Sequence, residues 1–215
     1  MKSQDSQGFD IIKESHQLSG DVDQLSQYYQ QWANNYDNDV LQQKYAGPEF
    51  IADYFIAMQK ENGQQNTAVK MLDAGCGSGL VGIALQQKGY QNIDGCDLSS
   101  EMVSLAEKTK CYQEVAGNID LNDMSSYTDG QYEAVISCGV FTLGHVPPQA
   151  MTELIRITQK GGLIVVSTRT SYYESTDFHQ FCDSLAAQGE IKILDHRVGP
   201  YIAEEGAHYW AFIVL

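Results

Sequence analysis

Residues 72–80 read Leu72-Asp73-Ala74-Gly75-Cys76-Gly77-Ser78-Gly79-Leu80, three glycines at alternate positions between an apolar strand pattern and a helix pattern. Without Cβ atoms such a run allows a tight turn and close approach by a ligand. The helix that follows offers unpaired N–H groups at the carboxyl edge of a sheet, where open α/β sheets bind ligands. Two cofactor classes compete for this loop. Gly77-Ser78-Gly79-Leu80-Val81-Gly82 matches GxGxxG literally. In a dinucleotide site, however, the first glycine closely follows the strand and the helix dipole meets a pyrophosphate. Here Asp73 ends the strand and Gly77 lies four residues later (77 − 73 = 4). A carboxylate at that point suits a ligand carrying an ammonium or sulfonium charge better than one carrying two phosphates.

Outward from the loop, Val69–Asp73 reads as a strand and 79–88 as a helix ended by Gly89. Asn92 to Asp97 is the next strand, and Asp97 lies 97 − 79 = 18 residues beyond Gly79. An acid there can accept hydrogen bonds from both hydroxyls of an adenosine ribose, in nicotinamide and S-adenosylmethionine sites alike; its other reading is a cap for the following helix. Ser99–Lys108 is a helix with a capped start, Tyr112–Ala116 a weak strand and Tyr132–Ser137 a stronger one. Gln149–Gln159 is a helix, Leu163–Ser167 a central strand, Glu174–Gln188 a helix, and Ile191–Val198 and His208–Val214 two closing strands. This alternation predicts an α/β, Rossmann-like doubly wound sheet of seven strands, mostly parallel, with helices on both faces. Residues 199–207 leave no room for a crossover helix, so the last strand returns antiparallel.

Ahead of the core, residues 1–20 are polar and read as a loose arm, and 21–66 as a helical lid. Leu25, Tyr28, Tyr29 and Trp32 recur at helical spacing, and Gly47-Pro48 opens a second amphipathic helix carrying Phe50, Ile51, Tyr54, Phe55 and Met58. The expected organisation is arm 1–20, lid 21–66 and core 67–215, a single domain overall.

The chain has 215 residues, with 13 Lys+Arg against 28 Asp+Glu. That balance disfavours nucleic acid and anionic membranes as partners, because both are held mainly through Lys and Arg. A cofactor held in a local pocket is compatible with it. No apolar run approaches the roughly 20 residues that span a bilayer, and the start lacks an apolar leader segment. The five cysteines, Cys76, Cys96, Cys111, Cys138 and Cys182, contain no CxxC pair, so neither a disulfide framework nor a zinc site is expected. A cytoplasmic protein without a bound metal is the expectation, and the sequence leaves monomer or homodimer open.

The chain resembles the class I S-adenosylmethionine (SAM)-dependent methyltransferases in Leu72 to Gly79, Asp97-Leu98-Ser99, Tyr132 to Val140 and Gly161 to Ser167. Tyr29-x-x-Trp32-Ala33-x-x-Tyr36-Asp37, Asp94 to Ser99 and Phe141 to Pro148 are similar to the methyltransferase-like group that includes the Williams–Beuren syndrome region protein. The resemblance implies SAM as cofactor, with S-adenosylhomocysteine as product. It implies that Asp73, Gly75, Cys76 and Gly77 surround the methionine moiety and that Asp97 holds the ribose. Leu98, Met102, Asn118 and Ile119 would lie near the adenine, and Cys138 beside the methyl group. Asn118 departs from the frequent aspartate. Tyr28, Trp32 and Tyr36 would form part of a cover, or merely a buried helix face.

His145, after the fourth strand, is the leading candidate for a base, with Tyr36 second; a loop histidine beside Pro147-Pro148 is the plainer reading. Arg169, Tyr172 and Phe141 are the candidate substrate contacts, although Arg169 also suits an ion pair. No Asn-Pro-Pro-Tyr string follows the fourth strand, which speaks against methylation of adenine amino groups. The expected reaction is metal-independent transfer of a methyl group to an O, N or C atom of a small molecule. The rivals are a protein side chain as acceptor and, behind it, an NAD(P)-dependent oxidoreductase.

Overall fold

The computed structural model describes residues 45–215. The predicted arm, the first lid helix and the positions Tyr28, Trp32 and Tyr36 lie outside the described residues.

β1 (Met71–Ala74) is buried on both sides, as a central parallel strand must be. It pairs parallel with β2 (Ile93–Cys96) and β4 (Tyr132–Phe141), and Asp73 stands level with Gly95 on one side and Ile136 on the other. The short β3 (Val115–Ala116) forms one edge, and β5 (Thr158–Arg169) continues the parallel array beyond β4. β7 (Ala207–Val214) inserts antiparallel between β5 and β6 (Ile191–Gly199), so the seven strands run β3-β2-β1-β4-β5-β7-β6. The doubly wound sheet with a reversed last strand is therefore the observed architecture.

Alternating side chains supply two cores, one on each face of the sheet. On one face, α1 (Gly47–Glu61) and α2 (Leu80–Gln87) bury Ile51, Phe55, Met58, Val81 and Leu85 against Met71, Ile136 and Val165. The second helix of the predicted lid is thus a covering layer of the sheet. On the other face, α4 (Met151–Ile157) and α6 (Phe178–Ala187) pack Leu154, Phe178 and Cys182 against Leu72, Val135, Ile164 and Trp210. α3 (Ser100–Thr109) follows β2, and its Ser99 cap accepts the Met102 N–H at 3.3 Å, as the sequence predicts.

Three elements differ from expectation. The helix predicted over 174–188 is two, α5 (Thr170–Ser175) and α6, because the Thr176 hydroxyl donates to the Tyr172 carbonyl and the backbone of Thr176 turns extended. The helix predicted over 149–159 begins with a 3-10 turn at Pro148–Ala150 and ends at Ile157, since Thr158 already pairs with Tyr132 of β4. The strand predicted from Tyr112 contracts to Val115–Ala116, and Tyr112 turns inward instead.

Candidate active site

Gly75, Gly77 and Gly79 have φ of +78°, +54° and +97°, the left-handed region that L side chains rarely adopt. The three alternate glycines are thus what the turn from β1 into α2 requires. A Cβ on Gly75 would stand 2.1 Å from Cγ2 of Val140, so the loop and the end of β4 pack backbone against side chain. A Cβ on Gly77 would meet nothing within 4 Å among the described residues. Gly75 and Cys76 both donate their N–H groups to the Cys96 carbonyl, tying the loop to β2.

Two carboxylates flank this loop. Asp97, half-buried after β2, accepts the Gly77 N–H and the Ser99 N–H. Burial raises its pKa, while the N–H groups of Ser99, Gly77 and Leu98 pull the other way. Asp73 is buried at the end of β1. Its Oδ2 accepts from the Tyr112 hydroxyl at 2.7 Å, and its Oδ1 has no hydrogen-bond partner among the described residues. Burial pushes its carboxyl up to about 7; the Tyr112 hydrogen bond lowers it and the charge of Asp97 raises it. An orphaned buried acceptor beside an open glycine cradle fits a ligand bearing an ammonium group.

The structure gathers most of the predicted cofactor residues here. Leu98, next to Asp97 in the chain, is half-buried, and Met102, whose N–H is held by the Ser99 cap, is buried. Asn118 is exposed with φ +58°, and the next residue, Ile119, donates its N–H to the Asp97 carbonyl at 3.1 Å. Cys76 is buried under the loop, its thiol pushed well above the ordinary range by burial. Cys138 lies on β4, where burial raises its thiol to about 12 against hydrogen bonds with Tyr45 and Ser167. It is a protonated packing thiol at neutral pH, not a nucleophile.

The remaining candidates divide. His145 is half-buried in the loop after β4; its N–H donates to Thr142 O at 3.1 Å, and its Nδ1 is 3.2 Å from Leu143 O. In the tautomer where Nδ1 donates, Nε2 is an acceptor. Phe141 and Tyr172 are buried with Phe178 in an aromatic cluster of the core, and the Tyr172 hydroxyl donates to Val146 O at 2.9 Å. Neither presents surface to a substrate in this structure; Tyr172 braces the loop that carries His145. Arg169 forms a buried ion pair with Glu205, which also accepts the Ser171 N–H at 2.7 Å. The ion-pair alternative for Arg169 holds, in a buried rather than a surface form. Sequence reasoning missed Tyr112, Tyr45 and Tyr201. The latter two hydroxyls pair at 3.2 Å, and a Cβ on Gly139 would stand 2.6 Å from the Tyr201 hydroxyl. Their signal was spread over distant segments, and no local spacing joins them.

A doubly wound sheet with an acidic strand end, a triple-glycine turn and a second acid after β2 is the arrangement that the class I SAM-dependent methyltransferase resemblance implies, and the core of the chain carries a methyltransferase domain. Residues 72–166 match the model of the methyltransferase domain. Methyltransferase-like protein 27 of Homo sapiens is 32% identical over 151 residues, covering 70% of this chain and 60% of that protein. Malonyl-[acyl-carrier protein] O-methyltransferase of Pectobacterium atrosepticum is 30% identical over 145 residues, covering 62% of this chain and 54% of that protein. The chain therefore spans a little over half the length of these two curated relatives. In fold, it is similar to a TehB-like SAM-dependent methyltransferase from Corynebacterium glutamicum, with a TM-score of 0.64 at 21% identity, covering 87% of this chain and 98% of that one.

Proposed function

We propose that this protein transfers a methyl group from SAM to an O, N or C atom of a small-molecule acceptor without a metal. The observation that carries the reading is the pair of carboxylates around an open left-handed glycine turn, one with an unsatisfied oxygen and one gripping the turn itself. SAM supplies a methyl group on a sulfonium, already activated for in-line displacement. The chain then has to bind, orient and exclude water. Asp73 answers the methionine ammonium, Asp97 accepts from a ribose hydroxyl, and Leu98, Met102, Asn118 and Ile119 border the adenine. Where the acceptor must lose a proton, His145 takes it through Nε2.

In this reading residues 21–66 still form the cap on a core of 67–215, with α1 the part of it that is anchored on the sheet. Among the described residues no helix is long and apolar enough to cross a membrane, and no group of three or more His, Cys, Asp or Glu is placed to hold a metal. Other relatives are named for magnesium protoporphyrin, ribosomal protein L11 and ribosomal RNA. The net charge of −15 favours a small or basic acceptor over RNA.

The test is calorimetric titration with SAM, S-adenosylhomocysteine and NAD(P), followed by labelled-methyl transfer into a metabolite extract and into protein. Binding of the first two alone, with label in small molecules, supports the reading. Label in protein moves the acceptor to a side chain, and selective NAD(P) binding overturns methyl transfer. His145→Ala should lower turnover with SAM affinity unchanged; full activity would remove His145 as the base.

A further inference from the structure

Tyr112 has no role in the family pattern read from the sequence, yet three separate segments make room for it. A Cβ on Gly79 of the loop would lie 3.2 Å from its ring, one on Gly82 of α2 would lie 2.4 Å from its Cζ, and one on Gly95 of β2 would lie 3.2 Å from its ring. Its hydroxyl accepts the Gly82 N–H at 3.2 Å and donates to Asp73 Oδ2 at 2.7 Å. Gly82 is the third residue of α2, so its N–H is among those with no partner inside the helix. Because that N–H occupies a lone pair of the phenol oxygen, the phenol proton is aimed at Asp73. The carboxylate is thereby fixed by one oxygen, and Oδ1 is left without a partner among the described residues.

We propose that Tyr112 is a positioning residue for cofactor binding: its hydroxyl holds Asp73 Oδ2 in place and so presents Oδ1 to the ammonium of the donor's methionine moiety. This rests on the assignment of Asp73 to that ammonium. The titratable groups acting on or near Asp73 are Tyr112, the Asp97 carboxylate and the Cys76, Cys96 and Cys138 thiols. The thiols stay protonated at neutral pH, so they add no negative charge. Tyr112 is the neighbour whose hydrogen bond lowers the Asp73 carboxyl toward the ionised form, while burial and Asp97 oppose it. SAM binding therefore weakens as pH falls through about 7, where Asp73 takes up a proton. Loss of the phenol hydroxyl moves that weakening to higher pH.

Tyr112→Phe keeps the ring that fills the glycine-lined space and removes only the hydroxyl. Calorimetric affinities for SAM and for 5′-methylthioadenosine, which has the adenosine and sulfur but no ammonium, are measured from pH 6 to 9. The expected result is a SAM affinity about tenfold weaker at pH 7.5, unchanged methylthioadenosine affinity, and a SAM midpoint displaced to higher pH. In an Asp73→Asn background the same change should have no further effect on SAM. Equal weakening of both compounds, or an unmoved pH midpoint, overturns the proposal. The wild type titrated alongside separates this from the family reading: a wild type that bound methylthioadenosine but not SAM would overturn the Asp73 assignment itself.

Discussion

Asp97 Oδ2 accepts the Gly77 N–H at 2.8 Å while its Oδ1 accepts the Ser99 N–H at 2.9 Å. One side chain therefore ties the glycine turn after β1 to the start of α3. Three backbone N–H groups, of Gly77, Ser99 and Leu98, bear on a carboxylate with about four lone-pair sites, so one site remains for a ribose hydroxyl. Asp97→Ala should weaken SAM binding by about 1.5–3 kcal/mol, the range for hydrogen bonds to a charged group. Asp97→Asn should fall between, because one amide oxygen still accepts. Calorimetry with SAM checks the order; unchanged affinity in the alanine variant would remove Asp97 from the ribose site.

Asp73 sets binding against stability. Its folded carboxyl sits at about 7, above the ordinary value of 3.8. The folded state therefore holds a proton that the unfolded chain has lost, and stability falls as pH rises from about 4 to 7, then levels. Ionised Asp73 costs on the order of 4 kcal/mol at pH 8. Asp73→Asn removes that cost but buries an unsatisfied amide donor worth about 1–3 kcal/mol. A net gain of about 1–3 kcal/mol is expected at pH 8, turning into a loss of about 1–3 kcal/mol at pH 4, together with loss of SAM affinity. Denaturant unfolding at the two pH values measures it; a variant less stable than wild type at pH 8 contradicts the account.

Gly75 faces Val140 so closely that a methyl group cannot be added without displacing the Val140 side chain. Gly75→Ala combines a left-handed backbone cost with overpacking, together about 2–5 kcal/mol. Val140→Ala removes the Cγ2 atom responsible for the 2.1 Å approach and leaves Cβ at 3.5 Å. The double variant should recover the overpacking share, a coupling of about 1 kcal/mol or more in a thermodynamic cycle. Strictly additive effects would show that the loop shifts freely away from β4.

The parts of the site legible in the sequence were those written in contiguous residues. The Asp73-to-Gly79 run and Asp97 eighteen residues later carry their chemistry in local spacing, and so does the strand–helix alternation that positions them. The sequence reads Tyr112 as the first residue of a weak strand; its partners Gly79, Gly82, Gly95 and Asp73 come from four other segments, the glycine loop, α2, β2 and β1. Phe141 and Tyr172 are candidate substrate contacts in the sequence, yet in this structure the aromatic cluster with Phe178 takes their rings inward. Periodicity identifies which side chains are apolar and does not decide whether a residue at a strand end turns to the cleft or to the core. The break at Thr176 was hidden for a related reason: the side-chain bond to Tyr172 that ends α5 interrupts no hydrophobic pattern.

On the outer side of the β6–β7 pair, His196 Nε2 lies 2.8 Å from His208 Nδ1. The His196 ring stacks on Trp210 at 3.6 Å, and Tyr173 stacks on His208 at 3.8 Å. Two imidazoles at that separation share one hydrogen bond only while at least one ring nitrogen is unprotonated. Burial lowers both pKa values; the charges of His208 and His179 lower that of His196 further, with Asp195 opposing, and Glu174 opposes at His208. A base whose folded pKa is depressed contributes stability above its unfolded pKa and loses it as pH falls through the folded one. The wild type should therefore lose thermal stability as pH drops below about 6.5, and His208→Gln, which keeps a polar side chain but cannot titrate, should lose less over the same interval. Melting temperatures at pH 7.5 and 5.0 measure the difference, and an NMR titration of the imidazoles should place His196 and His208 below the ordinary value of 6.5. Parallel melting curves for the two proteins would show that this pair does not govern the acid limb.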